Sequence, residues 1–357
     1  MKKLLMTGGG TAGHCIPNLA LIPSLEDMGF MISYMGSYRG IERKLVNEEK
    51  VPYYGISSGK LRRYFDLKNF SDPFRVIKGY AEAHKIIKEL KPDIVFSKGG
   101  FVSVPVVWAA HSLHIPVVIH ESDMTPGLAN KLCYDAAARV CCSFRRTVDM
   151  VPKGKGVFTG TPIRKSLLNG DRLKARSFVG IRREDELPCL MVIGGSLGAQ
   201  SVNDEVRHLL PKLLKKYNVI HLCGKGKLDH TLHRTHGYVQ YDYIQDELPD
   251  LFALSDLVIS RAGSNAIFEL LALKKPNILI PLPQGSSRGD QILNAKAFEK
   301  AGYSYLLPQE KMDDDSLLSA LDYVNEHRFE YIDAMERAPE SGAVENICRI
   351  IEENALF

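Results

Sequence analysis

Two apolar runs, at residues 3–6 and 188–193, each end in consecutive glycines and pass directly into a helical pattern. A strand that turns through glycine into a helix opens a βαβ unit, whose return strand lies parallel to the first. The device occurs twice in a chain of 357 residues, so the length accommodates two parallel-sheet α/β domains of ordinary size. Further apolar runs at 31–35, 93–96, 116–119 and 139–142 extend the first sheet, with helices expected at 17–28 and 128–137. Runs at 219–222, 256–260 and 277–280 complete the second, with helices from the glycine turn to 216 and over 264–273. The stretch 160–186 holds turn residues and the charge cluster Arg182-Arg183-Glu184-Asp185-Glu186, so the join between the halves lies there. The segment 341–353 carries Val344, Ile347, Ile350 and Ile351 at helical spacing and must pack on something.

Composition narrows the class. A hydrophobic content of 45% and a charged content of 25% exclude a disordered or fibrous chain. The net charge of +4 is too small for a nucleic-acid coat protein, and no nucleic-acid partner is expected. It conceals a split: 22 basic and 14 acidic residues up to Pro162, against 24 basic and 28 acidic beyond it. Seven cysteines with no C-x-x-C pair argue against a disulfide framework or zinc knuckle and read as small core residues of a reducing cytosol. The start of the chain lacks a run long enough for a signal-peptide core. Residues 99–119 are uncharged, but Pro105, Pro116, His111 and His114 divide them into a buried helix and a buried strand rather than a membrane span.

The glycine turns carry the chemistry. Gly8-Gly9-Gly10-Thr11-Ala12-Gly13-His14 follows the first strand and opens the first helix, where backbone N–H groups and the helix dipole favour an anion. It matches G-x-G-x-x-G, yet Met35-Gly36-Ser37-Tyr38 offers no acid at the second strand end to hold an NAD ribose. A second turn is Gly194-Gly195-Ser196-Leu197-Gly198. A third is Arg261-Ala262-Gly263-Ser264-Asn265, with Ser264 placed to cap a helix that carries Glu269. Three such turns facing one crevice fit a nucleotide diphosphate, and Glu269 either accepts from ribose hydroxyls or lies on the surface.

Six motifs then occur in order: Thr7 to His14, Ser97 to Ser103 (SKGGFVS), His120 to Gly127 (HESDMTPG), Gly194 to Ala199 (GGSLGA), Ser260 to Ser264 with Glu269, and Asp290 to Ala295 (DQILNA). Together they resemble the MurG family of bacterial peptidoglycan N-acetylglucosaminyltransferases over nearly the whole chain. The resemblance implies a GT-B fold: an acceptor- and membrane-facing Rossmann-like domain at 1–162, a UDP-GlcNAc-binding one at 163–340, a cleft between them, and a C-terminal helix at 341–357 returning to the first. It implies inverting transfer of GlcNAc from UDP-GlcNAc to the 4-hydroxyl of the undecaprenyl-diphosphate-linked muramoyl-peptide, at the cytoplasmic face of the cell membrane. Position by position, it places Thr11, Ala12 and Gly13 against donor sugar and acceptor. It makes Arg164, Ser196, Ile244, the turn of Ser264, Asn265, Ala266, Ile267, Phe268 and Glu269, and Gln291 the UDP-GlcNAc contacts. No cofactor or metal is implied, and the only D-x-D, at 313–315, reads as a helix start.

Two positions depart from the family's pattern. Ala12 stands where many members have glycine, which requires a backbone without strongly positive φ. Asp123 stands where many have asparagine, so a bond in which that side chain donated N–H to the sugar cannot be kept. Inversion needs a base for the acceptor hydroxyl; His14 leads, and Glu121 and Asp123 follow. His14 can equally serve to cap or pack its loop. Residues 59–91 hold nine Lys or Arg against four Asp or Glu, interleaved with Tyr64, Phe65, Phe70, Phe74, Ile77 and Tyr80. On its own such a segment reads as a helix with an apolar core face and a solvated basic face; with a lipid-linked acceptor in view it suits an anionic membrane surface. The competing functions are a transferase acting on diacylglycerol, an NAD-dependent oxidoreductase and a non-catalytic nucleotide binder.

Overall fold

The computed structural model describes residues 2–59, 72–181, 187–195, 198–285, 289–339 and 342–356. The chain divides into two compact units, Met1–Arg164 with Glu340–Phe357, and Lys165–Pro339. In the first, the strands are β1 (Lys2–Thr7), β2 (Phe30–Ser37), β3 (Tyr53–Ile56), β4 (Ile94–Ser97), β5 (Val117–Glu121), β6 (Arg139–Cys142) and β7 (Gly156–Phe158). They pair parallel in the order β3-β2-β1-β4-β5-β6-β7. In the second, the strands are β8 (Cys189–Ile193), β9 (Asn218–Leu222), β10 (Tyr238–Tyr241), β11 (Leu257–Ser260), β12 (Asn277–Leu279) and β13 (Tyr305–Leu306). These pair parallel in the order β10-β9-β8-β11-β12-β13.

Alternation along β1 sends Leu4 and Met6 to one face and Leu5 to the other, so the first sheet is buried on both sides. One face is covered by the helices Ile16–Asp27 and Ala343–Asn354, the other by Asp72–Leu90 and Ser103–Ser112. The C-terminal helix belongs to this unit: Val344, Ile347, Cys348, Ile350 and Ile351 enter the core while Glu345, Arg349 and Glu353 stay exposed. Full burial of each isoleucine contributes roughly 1.5–3 kcal/mol. All seven cysteines are buried and free, as expected of core residues. Among the described residues no helix is long and apolar enough to cross a membrane, and the uncharged stretch 99–119 divides into a buried helix and β5.

Three expectations need correction. The second sheet is not complete with the runs at 219–222, 256–260 and 277–280: β10 and β13 flank it, as β3 and β7 flank the first. All of these are edge strands and only partly buried, so they lack the continuous apolar run that marks a strand covered on both faces. The helix expected over 128–137 closes at Lys131. Beyond it, Trp108 Nε1 donates to the Leu132 carbonyl at 3.0 Å and Lys155 Nζ donates to those of Tyr134 and Asp135 at 2.8 and 3.0 Å, which engages acceptors a continuing helix would use. Ser264 is the first helical residue, and extended Gly263 occupies the cap position. The aspartate run at 313–315 does start a helix, with Asp313 and Ser316 forming a reciprocal capping box.

Candidate active site

In an open parallel sheet, ligands bind beyond the carboxyl ends of the strands where the strand order reverses direction. In the first unit that point lies between β1 and β4. The register sets the strand ends level, with Thr7 opposite Ser97 and Ser97 opposite Ile119. The loops after β1, β4 and β5 therefore emerge side by side. Gly100 shows how closely: at φ +83° a Cβ there would lie 2.3 Å from the Gly9 carbonyl oxygen, so the loop after β4 rests on the glycine loop only because it lacks a side chain.

The glycine loop is braced from beneath. Glu42 is fully buried, and its carboxylate accepts from the Gly10 N–H at 3.1 Å, the Ser37 N–H at 3.0 Å and the Ser37 hydroxyl at 2.6 Å. Tyr34 donates its hydroxyl to the Gly8 carbonyl at 2.7 Å, and Asn18 Nδ2 donates to the Thr7 carbonyl at 3.1 Å. On this base, Thr11 and Gly13 are exposed and Ala12 and His14 half-buried, Ala12 opening a short 3-10 turn without positive φ. Thr11 Oγ1 and His14 Nδ1 are hydrogen-bonded at 3.0 Å, a contact that fixes the imidazole plane.

The loop after β5 is built around Glu121. Its carboxylate is buried and accepts from the Asp123 N–H at 3.1 Å, the Gly127 N–H at 2.9 Å and Asn130 Nδ2 at 2.8 Å. Burial, and next the Asp123 charge, push this carboxyl above its ordinary value. Committed to three donors within the protein, Glu121 shapes the loop and leaves half-buried Asp123 as the more accessible carboxylate. His120 is buried with Nε2 3.0 Å from the Gly160 carbonyl, and burial followed by the Lys98 charge keeps it neutral. Arg164, at the end of this unit, is half-buried, and its buried Nε has no partner among the described residues.

In the second unit the order reverses between β8 and β11, and the two remaining glycine turns begin at the ends of those strands. Gly198, at φ +66°, would place a Cβ 1.9 Å from the Cys223 carbonyl, so this turn lies directly against the end of β9. The turn after β11 is held by Arg261, a buried guanidinium donating to the Ile280 carbonyl at 3.0 Å and to Ser201 Oγ at 3.1 Å, and by Asn294 Nδ2 donating to the Ala262 carbonyl at 3.3 Å. Along 264–269, Ser264, Ile267 and Phe268 are buried, Phe268 edge-on to Phe298 at 5.2 Å, while Asn265, Ala266 and Glu269 are half-buried. Gln291 sits in the first turn of the helix Asp290–Lys300 and accepts from the Leu282 N–H at 3.1 Å. Ile244 is half-buried in the loop after β10. Ser196 lies outside the described residues.

The first unit thus gathers Thr11, Ala12, Gly13, His14 and Asp123 at one sheet end, and the second gathers Ser264 to Glu269 and Gln291 at another. Glu42, Lys98, Arg261 and Asn294, which hold these loops, were not identified as such from the sequence. For Lys98 the available signal was a lysine directly preceding Gly99-Gly100.

Residues 4–142 match the glycosyltransferase family 28 N-terminal domain and residues 189–349 its C-terminal domain. The chain is 57% identical over 356 residues, covering 100% of both chains, to the UDP-N-acetylglucosamine–N-acetylmuramyl-(pentapeptide) pyrophosphoryl-undecaprenol N-acetylglucosamine transferase of Lachnoclostridium phytofermentans. It is 56% identical to the same-named protein of Clostridium botulinum, covering 99% of each. Among solved structures it resembles MurG of Acinetobacter baumannii at TM-score 0.75 and 25% identity, over 99% of this chain and 100% of that one. The kitacinnamycin glycotransferase matches at TM-score 0.77 and 14% identity, over 99% of each, a likeness of fold alone. With parallel sheets of seven and six strands in the GT-B manner, the chain belongs to glycosyltransferase family 28 and, within it, to the MurG family.

Proposed function

We infer that this protein transfers GlcNAc from UDP-GlcNAc to the 4-hydroxyl of an undecaprenyl-diphosphate-linked muramoyl-peptide, with inversion, in peptidoglycan precursor synthesis. The observation that carries this reading is the 57% identity along the entire chain to a transferase named for that donor and acceptor. The braced loops at two sheet ends are consistent with it.

The acceptor oxygen attacks the anomeric carbon, the bond from that carbon to the UDP oxygen breaks, and the hydroxyl proton must go to a base. His14 takes that role if Nδ1–H donates to Thr11 Oγ1, since this leaves Nε2 as the basic nitrogen. Thr11, Ala12, Gly13 and Asp123 contact the sugars. Arg164, Ser196 and the turn at Ser264, Asn265, Ala266, Ile267 and Phe268 hold the diphosphate, where a guanidinium and a helix N-terminus stabilise the charge of the departing UDP. Glu269 accepts from the ribose, the Ile244 backbone meets uracil, and Gln291 bonds sugar hydroxyls. A His14→Ala variant that still binds UDP should lose about 100-fold or more in turnover; turnover near the wild-type level would exclude His14 as the base.

The protein works as a peripheral enzyme at the cytoplasmic face of an anionic membrane. Support comes from the helix Asp72–Leu90, where Phe74 and Ile77 are 74% and 65% exposed next to exposed Arg75 and Lys78. The remainder of the basic aromatic segment, residues 60–71, lies outside the described residues. Sedimentation with anionic vesicles should show salt-sensitive binding that weakens in Phe74→Ser/Ile77→Ser; no binding by the wild type would remove the membrane claim.

A further inference from the structure

Lys98 is a charge in the first unit to which the transfer step assigns no role. It follows β4 directly and is 1% exposed, and its ammonium donates to the Ser122 hydroxyl. Facing it from the end of β5 and the loop beyond are the Glu121 and Asp123 carboxylates, with buried neutral His120 on β5 itself. From β1 the neighbour is the uncharged Gly8 backbone, where a Cβ would stand 3.1 Å from Lys98 Cβ.

Burying an ammonium is unfavourable unless opposite charge compensates it. Glu121 and Asp123, two residues apart, form a like-charge pair that protonation of one member would relieve. The ammonium faces both carboxylates, and their charge offsets part of the cost of its burial.

We propose that Lys98 is a positioning residue for the transfer step, fixing the loop 121–127 through Ser122 so that Asp123 is held where it meets the sugars. This rests on the reading of Asp123 as a sugar contact. The electrostatics agree with the geometry: burial pulls the Lys98 ammonium down to about 8, with Glu121 and then Asp123 opposing that pull. As the pH rises through about 8 the ammonium is lost, and with it the charge-assisted hold on Ser122 and the charge facing Glu121, so turnover falls on that limb.

The test is kcat, and KM for UDP-GlcNAc, from about pH 6 to about pH 10 with the lipid-linked acceptor, for wild type, Lys98→Met and Asp123→Asn. Lys98→Met should lower kcat about tenfold or more at neutral pH with KM for UDP-GlcNAc within about twofold. Asp123→Asn, with Lys98 intact, removes one charge that supports the ammonium and should move the alkaline limb to lower pH by about half a unit or more. If Lys98→Met does not fold, the limb of Asp123→Asn decides alone. An alkaline limb unmoved in Asp123→Asn, or wild-type kcat and pH profile in Lys98→Met, would overturn the proposal. Absence of transfer by the wild type would instead sink the functional reading, and this inference with it.

Discussion

Glu42 offers the sharpest test of how the first glycine loop is held. Its carboxylate is fully buried and takes three hydrogen bonds, from Gly10 N, Ser37 N and Ser37 Oγ, at 3.1, 3.0 and 2.6 Å. Hydrogen bonds to a charged group contribute roughly 1.5 kcal/mol or more each, so Glu42→Ala removes about 4–5 kcal/mol of interaction. Water entering the vacated space recovers part of this, leaving an expected loss of about 3 kcal/mol. In amide hydrogen exchange, that corresponds to about 100-fold faster exchange at Gly10 and Ser37. Glu42→Gln retains the shape and one acceptor oxygen, and should cost about half as much. Because the loop carries Thr11 to His14, turnover should fall with it while UDP affinity, assigned to Arg164 and the second unit, stays unchanged. Wild-type exchange rates at Gly10 and Ser37 in Glu42→Ala would refute the reasoning.

Two further predictions concern the second unit. Glu269→Gln should raise KM for UDP-GlcNAc about tenfold with kcat nearly constant, as expected for loss of a charged acceptor that binds ground and transition states alike; an unchanged KM would remove Glu269 from the ribose site. His221 is buried between Asn203 Oδ1 and the Tyr238 hydroxyl, both at 3.0 Å, and burial followed by the Arg207 charge pushes it from 6.5 down to about 3. Between those values the unfolded chain binds a proton at this site and the folded one does not, so folding stability declines as the pH falls from 6.5 towards 3. Urea midpoints measured across that window should fall with pH, and His221→Gln should flatten the slope; an equal slope in the variant would contradict this.

What could be read from the sequence follows from what burial does to it. Central strands such as β1, β5, β8 and β11 are covered on both faces, and the apolar run that results is visible without a structure. Edge strands β3, β7, β10 and β13 keep one side partly open and mix Tyr, Gly and Gln among their residues, which resembles loop. The glycine turns were legible because their local pattern is itself the structural requirement, and so was the helix start at 313–315. The supports of the site were not. Glu42 reaches Gly10 across 32 positions and Lys98 reaches Ser122 across 24, contacts that parallel strand order creates and no local spacing announces. The end of the helix after Leu128 was hidden for the same reason: Trp108 and Lys155, remote in sequence, engage its carbonyls.

The most direct test of the central claim is to incubate the protein with UDP-GlcNAc labelled in the sugar and the undecaprenyl-diphosphate-linked muramoyl-peptide, and to follow UDP release and label in the lipid fraction together. The account predicts UDP release only when the acceptor is present, one labelled GlcNAc entering the lipid for each UDP formed, joined at the 4-hydroxyl with inverted anomeric configuration. UDP release independent of the acceptor, or label that never reaches the lipid fraction, would contradict it.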